Sequence, residues 1–247
     1  MLFVLRLALE PLLSRLFDTH CVVCDDRQPD ALCAACRAQV TAPAGARCTR
    51  CDHPLASTLE VARSGDACPD CRRLGVPAFE SVVSAGAYDG VLRDAVLALK
   101  YHDGWRAAEP LAALMAARVR RAGLEIDAVV PVPIDAARQA ARGYSQSLLL
   151  GARVAVRLGV PIAPALLRRR VAGVVQGAAD RMQRHRQLAG VFEADPSAHL
   201  RGRRLLLVDD VMTTAATMHE AAAALRDRGA RVWGVVAARQ LELGGVA

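Results

Sequence analysis

The eight cysteines constrain the fold of this chain more strongly than any other residues. They fall in four pairs with two residues inside each pair: Cys21/Cys24, Cys33/Cys36, Cys48/Cys51 and Cys68/Cys71. This spacing lets two thiolates reach one zinc ion from a single turn. Sequential pairing assigns the first four cysteines to one ion and the last four to another, but a cross-braced pairing also fits. Because four thiolates leave no position open for water, we expect two structural zinc ions.

The segments between the cysteines contain few large apolar residues, so residues 21–71 cannot build a sizeable core by themselves. Zinc binding must supply the folding free energy of this region, about 10–16 kcal/mol per ion in peptide models. A disulfide framework is the alternative interpretation, but it requires an oxidising compartment. His53 is expected to be a loop residue, since the thiolates already complete both sites.

The leucine-rich start of the chain resembles a secretory signal only superficially. Arg6, Glu10 and Arg15 interrupt its apolar run, and no small-residue cleavage site follows. The leucine spacing instead predicts an amphipathic helix packed on the body of the protein. No stretch approaches the length of a membrane span. We therefore expect a cytoplasmic protein, which disfavours the disulfide framework.

From residue 79 onward, strand-like and helix-like patterns alternate along the chain. Strands are expected at residues 79–88, 127–133, 165–167, 204–208 and 232–238, and helices at residues 91–100, 107–122, 145–158 and 217–228. Such alternation predicts an α/β fold with a parallel-rich sheet flanked by helices. The predicted division is residues 1–78 for the N-terminal helix and zinc module and residues 79–247 for the α/β domain. The sequence contains neither a Gly-x-Gly-x-x-Gly nor a Walker-type motif, so dinucleotide and ATP sites are not supported.

One predicted strand ends in a group of residues suited to a phosphorylated sugar. Its four apolar residues precede Asp209 and Asp210, which places both carboxylates at the carboxyl end of a parallel strand. Thr213, Thr214 and Thr217 follow where a turn opens a helix, so that N–H groups and hydroxyls can converge on one anion. The acids suit ribose hydroxyls or a hydrated metal. The alternative is an ordinary helix cap.

This segment resembles the phosphoribosyl-pyrophosphate loop of the type I phosphoribosyltransferases, whose pattern is acid-acid-x-x-Thr-Thr-Gly-x-Thr after a hydrophobic strand. Ala215 stands where that pattern has glycine. If Ala215 had to adopt a left-handed conformation, the cost would be about 1–2 kcal/mol. Ligand binding would then be weakened while the fold survived.

Two further segments extend the resemblance to the whole chain. Residues 129–133 read Val-Val-Pro-Val-Pro, and Arg138 and Arg142-Gly-Tyr-Ser-Gln follow; the second segment contains Gln176, Arg181, Arg184 and Gly-Val-Phe at residues 190–192. With the cysteine module in front, the chain resembles the ComF family from Cys21 to about Arg239. These are double-zinc-ribbon proteins with a phosphoribosyltransferase-like domain that are linked to DNA uptake. Ser145 and Gln187 occupy positions where the family usually carries asparagine.

The resemblance implies roles for individual residues. Asp209 and Asp210 would hold the ribose hydroxyls, directly or through magnesium, and the three threonines would hold the 5′-phosphate. Arg138 and Arg142 are candidates for contacts with pyrophosphate, although a solvated helix start explains them equally well. Residues 171–183 match the flexible lid of the enzymes. Arg181 in this lid and Arg184 just after it could equally contact a nucleic-acid backbone.

Two functional hypotheses remain open at this point. The first is an accessory protein for natural transformation that handles incoming single-stranded DNA together with DNA-uptake or recombination proteins and retains the sugar-phosphate pocket. The second is a magnesium-dependent transferase that displaces pyrophosphate with a nitrogen base. The formal net charge is +7, and arginine supplies nearly all of the positive charge, since Lys100 is the sole lysine. This net charge makes anionic partners plausible. The first hypothesis is favoured because no segment stands out as a hood for a base.

Overall fold

The computed structural model describes residues 20–40, 45–55, 67–68, 71–72, 77–101, 104–170 and 190–240. The predicted N-terminal helix and the predicted lid at residues 171–183 lie outside these ranges, as do Arg181 and Arg184. The structure therefore leaves those predictions untested.

The described residues alternate between strands and helices, as the hydrophobic pattern predicts. The helices are α1 (Ala34–Gln39), α2 (Gly90–Lys100), α3 (Ala108–Arg121), α4 (Ala136–Arg142), α5 (Gln146–Leu158) and α6 (Ala216–Arg226). The strands are β1 (Val82–Ala87), β2 (Ala128–Pro131), β3 (Leu167–Arg169), β4 (Phe192–Ala194), β5 (Arg204–Met212) and β6 (Arg231–Arg239). Short 3-10 turns at Gly104–Ala107 and Pro164–Leu166 precede α3 and β3.

A four-stranded parallel sheet in the order β1-β6-β5-β2 forms the centre of the fold. The apolar start of β5 is buried on both faces, because Leu205 and Leu207 pack with α6 while Leu206 and Val208 pack with α2, α3 and α5. This two-sided burial explains why the strand is apolar at every position rather than at alternate ones. The fold is the expected α/β arrangement of a parallel-rich sheet between helices.

Local sequence signals set the helix boundaries that matter for the site. The Ser145 hydroxyl accepts a hydrogen bond from Leu148 N at 3.3 Å and so caps the start of α5. Gly159 ends that helix with φ 72°, a left-handed conformation that favours glycine. Asp135 caps α4 by accepting a bond from Ala137 N at 3.0 Å. These caps fix the connection between β2 and α5 on the side of the sheet where β5 ends.

The structure differs from the predicted elements in three places. Strand β5 continues through Asp209 and Asp210 to Met212, because its partner β6 extends alongside it as far as Arg239. Residues 164–166 form a 3-10 turn rather than a strand, and β3 begins at Leu167. The short elements α1, α4 and β4 were not predicted, and β4 pairs with β3 in a separate antiparallel ribbon. Within the described ranges, no helix is long and apolar enough to span a bilayer.

Candidate functional site

The two adjacent carboxylates of the predicted site lie together near the carboxyl end of β5. Asp209 Oδ1 accepts a hydrogen bond from the Ser147 hydroxyl at 2.9 Å and another from Asp210 N at 2.9 Å. Ser147 lies in the first turn of α5, so the cap at Ser145 positions the residue that holds Asp209. The predicted placement at the carboxyl end of the sheet is thus observed, and one partner comes from a helix far along the chain.

Lys100 supplies the positive charge of the site. Its Nζ lies 3.2 Å from Asp210 Oδ2, and the two side chains are 21% and 16% exposed. Lys100 is the last residue of α2, whose C-terminus carries a partial negative charge that also favours a cation. Neither Lys100 nor Ser147 belongs to a local motif that predicts a role in the site. One sequence feature could have indicated a role for Lys100: it is the single lysine in a chain whose other basic side chains are nearly all arginine.

The carboxylate pair carries more negative charge than its surroundings neutralise. Burial, together with the charge of Asp210, raises the pKa of Asp209 to about 7. The Asp210 N–H, Ser147 and Lys100 oppose this shift without cancelling it. Two carboxylates beside one lysine can accept hydrogen bonds from sugar hydroxyls, and they fit a hydrated divalent cation such as Mg²⁺, which prefers carboxylate oxygens.

The threonines follow the carboxylates at the start of α6. Thr213 is exposed, and Thr214 and Thr217 are half-buried, so all three retain contact with solvent. Among the described residues, no side chain caps the first turn of α6, and that turn contains no acidic residue. Its N–H groups and the positive end of the helix dipole therefore form an anion-binding arrangement next to Asp209 and Asp210.

Ala215 does not adopt the left-handed conformation that glycine would favour at this position of the loop. Its φ is −75° and its ψ is 0°, which lie in a region open to any residue. The side chain is 5% exposed and packs in the hydrophobic core that also contains Met212 and Met218. The methyl group of Ala215 therefore packs in the core. The cost of about 1–2 kcal/mol for an alanine in the left-handed backbone conformation does not apply.

The predicted pyrophosphate arginines lie on α4. Arg142 donates from Nη1 to Gln146 Oε1 at 3.0 Å, which places its guanidinium beside the turn that supplies Ser147. The backbone of Arg138 lies in the same helix. Gly143 ends α4 with φ 76°, and in the described part of the chain no atom beyond its two neighbours lies within 4 Å of where a Cβ would be. This glycine serves the left-handed helix end rather than a close approach of the backbone.

The cysteines form two separate tetrads, which resolves the pairing that spacing left open. The first contains Cys21, Cys24, Cys33 and Cys36, and the second contains Cys48, Cys51, Cys68 and Cys71. All four sulfur atoms of each tetrad lie within 4.8 Å of one another. A tetrahedral zinc site with Zn–S bonds of about 2.3 Å requires sulfur separations of about 3.8 Å. The observed Cys24–Cys33 and Cys51–Cys68 separations of 3.7 and 3.5 Å fit that geometry.

The electrostatics of the second tetrad also favour a bound cation. Hydrogen bonds from the neighbouring thiols, Cys51 foremost, lower the pKa of Cys48, and hydrogen bonds with Cys48 and then Cys51 raise the pKa of Cys71. One thiol thus ionises easily only because the others stay protonated. Four thiolates can coexist at this distance only around a cation, and zinc would hold them as a structural site without an open position.

Comparison with known proteins gives two family matches. A phosphoribosyl transferase domain model matches residues 100–241, and a double zinc ribbon domain model matches residues 12–72. Competence protein F of Haemophilus influenzae is 27% identical over 234 residues, which cover 90% of this chain and 98% of that protein. DNA utilization protein YhgH of Salmonella typhimurium is 32% identical over 165 residues, which cover 64% of this chain and 72% of that protein.

Among solved structures, one similar chain is adenine phosphoribosyltransferase from Saccharomyces cerevisiae, with 20% identity and a TM-score of 0.34. The match covers 62% of this chain and 70% of that one.

Proposed function

Because the chain belongs to the ComF family, in which a double zinc ribbon precedes a phosphoribosyltransferase domain, we propose that it binds a pentose phosphate of the phosphoribosyl-pyrophosphate type. We further propose that this binding serves an accessory role in DNA uptake. The ligand would lie over the carboxyl end of β5, with its ribose hydroxyls or a bridging Mg²⁺ on the carboxylates and its 5′-phosphate at the start of α6.

One observation carries the ligand proposal: the carboxylate pair and the uncapped helix start occupy consecutive positions of one strand–turn–helix unit. Asp209 and Asp210 present acceptors that match hydroxyl groups, and the first turn of α6 presents donors that match a phosphate. A ligand with vicinal ring hydroxyls and a phosphate on an exocyclic carbon satisfies both sets together. Ribose 5-phosphate derivatives have this arrangement.

The DNA part of the proposal is supported by the relatives. One is described as a competence protein and another as a DNA utilization protein. Single-stranded DNA and DNA-uptake or recombination proteins are accordingly the partners to test, in a cytoplasmic setting. The basic balance of the chain, with 32 Lys and Arg against 25 Asp and Glu, suits a polyanionic partner.

Isothermal titration with phosphoribosyl pyrophosphate and MgCl₂ tests the ligand proposal. We expect saturable binding to the zinc-loaded protein that weakens when Mg²⁺ is omitted. Asp210→Asn should weaken binding about 10- to 100-fold, as expected for the loss of one charge-assisted contact. Asp94→Asn is the matched control, because Asp94 is an exposed aspartate of α2 that pairs only with its neighbour Arg93 at 3.6 Å in the described part of the chain. Absence of binding heat in the wild-type protein would remove the ligand proposal.

Pyrophosphate release distinguishes the accessory role from the transferase alternative. The protein is incubated with phosphoribosyl pyrophosphate, Mg²⁺ and a panel of nitrogen bases, and pyrophosphate is measured with a coupled assay. We expect binding without sustained release. Steady turnover with any base would replace the accessory role with a magnesium-dependent phosphoribosyltransferase.

Fluorescence anisotropy with labelled single-stranded DNA tests the nucleic-acid proposal. The affinity should fall linearly with the logarithm of salt concentration, because phosphate contacts release counterions. Charge reversal of Arg181 and Arg184 should flatten that slope, whereas reversal of Arg121 and Arg201, which are exposed elsewhere, should not. An unchanged slope after the first pair of changes would show that those arginines make no contact with DNA.

A further inference from the structure

The strongest connection between the second tetrad and the sugar-phosphate loop is the buried side chain of Arg239. This residue ends β6 and is 2% exposed. Its Nη1 donates to Met212 O at 2.9 Å and to Thr213 O at 2.6 Å, and its Nη2 lies 3.8 Å from Cys51 Sγ. One guanidinium therefore contacts a zinc-binding sulfur and the two carbonyls that lead from β5 into the threonine segment.

The electrostatic compensation of the Arg239 guanidinium depends on whether zinc occupies that tetrad. Four thiolates around a divalent zinc ion carry a net charge of −2, which compensates a buried guanidinium nearby. Loss of zinc removes the bonds that fix the four sulfur atoms, so Cys51 Sγ is no longer held beside Nη2 of Arg239. Any movement that exposes the guanidinium to water also withdraws it from Met212 O and Thr213 O.

The second tetrad is itself attached firmly to the sheet. Asp52, the residue after Cys51, is 6% exposed and accepts a hydrogen bond from Ser84 N of β1 at 2.8 Å. Val82 N of the same strand donates to Arg50 O at 2.7 Å. The tetrad cysteines share one hydrophobic core with Met212 and with Ala215 of the loop. The zinc site thus has a fixed position from which Arg239 can hold the loop.

We propose that Arg239 is a positioning residue through which zinc in the second tetrad sets the conformation and the ligand affinity of residues 212–217. Zinc loss from this tetrad, by chelation or thiol oxidation, would then weaken sugar-phosphate binding even though zinc does not touch the ligand. The affinity part of this inference rests on the proposed function, while the loop-ordering part is independent of any ligand.

The first tetrad offers an internal comparison. Its cysteines pack with Val23 and with Val91 in the first turn of α2, on the face of the sheet opposite the second tetrad. Among the described residues, no hydrogen bond from this tetrad reaches the threonine segment. Zinc loss there should leave residues 212–217 unchanged.

Two measurements test the proposal on the full chain: amide hydrogen exchange of the peptides covering residues 209–217, and titration with phosphoribosyl pyrophosphate and Mg²⁺. Arg239→Met should retain two zinc ions per chain, one for each tetrad, yet exchange these amides about tenfold faster and bind the ligand about tenfold more weakly, as the loss of a charge-assisted hydrogen bond predicts. Arg231→Met is the matched control, since Arg231 begins the same strand and its side chain is 58% exposed. It should change neither quantity.

Cysteine variants provide a second route that leaves Arg239 intact. Cys71→Ser should lose one zinc ion and reproduce the faster exchange of residues 209–217, whereas Cys36→Ser should lose one zinc ion without that effect. Wild-type exchange and affinity in zinc-loaded Arg239→Met would overturn the proposal, and so would equal loop exchange in the two cysteine variants. If the wild-type protein does not bind the sugar phosphate, the proposed function fails, and the exchange data alone decide whether Arg239 orders the loop.

Discussion

Replacing Asp209 with asparagine tests the electrostatics of the site through stability rather than binding. The pKa of Asp209 is raised to about 7 in the folded protein, against about 3.9 for an unfolded aspartate. A raised carboxyl pKa means that the folded state binds more protons than the unfolded state between these values. Asp209 therefore destabilises the protein increasingly as the pH rises from about 4 to about 7.

The size of the effect follows from the shift. Three pKa units correspond to about 4 kcal/mol at full ionisation, and part of this cost is already present at pH 5. Solvent screening reduces this value, because the side chain is only half-buried. We therefore expect Asp209→Asn to raise the unfolding free energy by about 1–2 kcal/mol more at pH 8 than at pH 5. Asparagine keeps an oxygen that can accept the bonds from Ser147 and Asp210 N, so the change removes mainly charge.

Urea unfolding of both proteins at several pH values, in zinc-loaded and magnesium-free buffer, measures this difference. Asp127→Asn is the control: hydrogen bonds from Arg204 lower the pKa of Asp127. Its stabilising contribution is therefore lost only as the pH falls through the acidic range below about 4. The destabilisation caused by Asp127→Asn should be constant between pH 5 and pH 8. If Asp209→Asn changed the unfolding free energy by the same amount at every pH, the raised pKa of Asp209 and its repulsion by Asp210 would be refuted.

Four further perturbations test the packing around the site and the zinc module. Gly234→Ala should destabilise the protein by about 1–3 kcal/mol in urea unfolding, because the new methyl group would lie 2.9 Å from Val82 and 3.0 Å from Met218. Gly151→Ala, inside α5 with no contact under 3.4 Å, should instead be neutral or stabilising by up to about 1 kcal/mol. Ala215→Gly should lower the unfolding free energy by about 1 kcal/mol and leave ligand affinity unimproved, because the alanine is buried at an ordinary φ; tighter binding in calorimetry would contradict this. Zinc chelation should make residues 21–71 accessible to limited proteolysis before the sheet unfolds, since each ion supplies about 10 kcal/mol or more.

The sheet was predictable from sequence because its central strands carry a strong local signal. Leu205–Val208 of β5 are apolar at successive positions and each is 0% exposed. The order of the strands was not predictable, because it depends on pairing between distant segments. The short helices α1 and α4 and the strand β4 were missed for a related reason: six, seven and three residues are too few to show a period.

The candidate site was predictable in part. The carboxylates and threonines are consecutive in sequence, so their pattern reveals them. Ser147 lies 62 residues from Asp209, and Arg239 lies 188 residues from Cys51. No local pattern predicts such contacts, since they depend on how α5 and β6 pack in three dimensions. From the sequence, Arg239 is only a polar residue at the end of an apolar strand, and nothing in that pattern predicts its contacts.

The measurement that tests the central proposal most directly is a crystal structure of the zinc-loaded protein soaked with phosphoribosyl pyrophosphate and Mg²⁺. The geometry predicts the 5′-phosphate at residues 213–217, within hydrogen-bond distance of the N–H groups that open α6, and the ribose hydroxyls or magnesium at Asp209 and Asp210. Clear density for the ligand elsewhere, or none at these residues at saturating concentration, would contradict it.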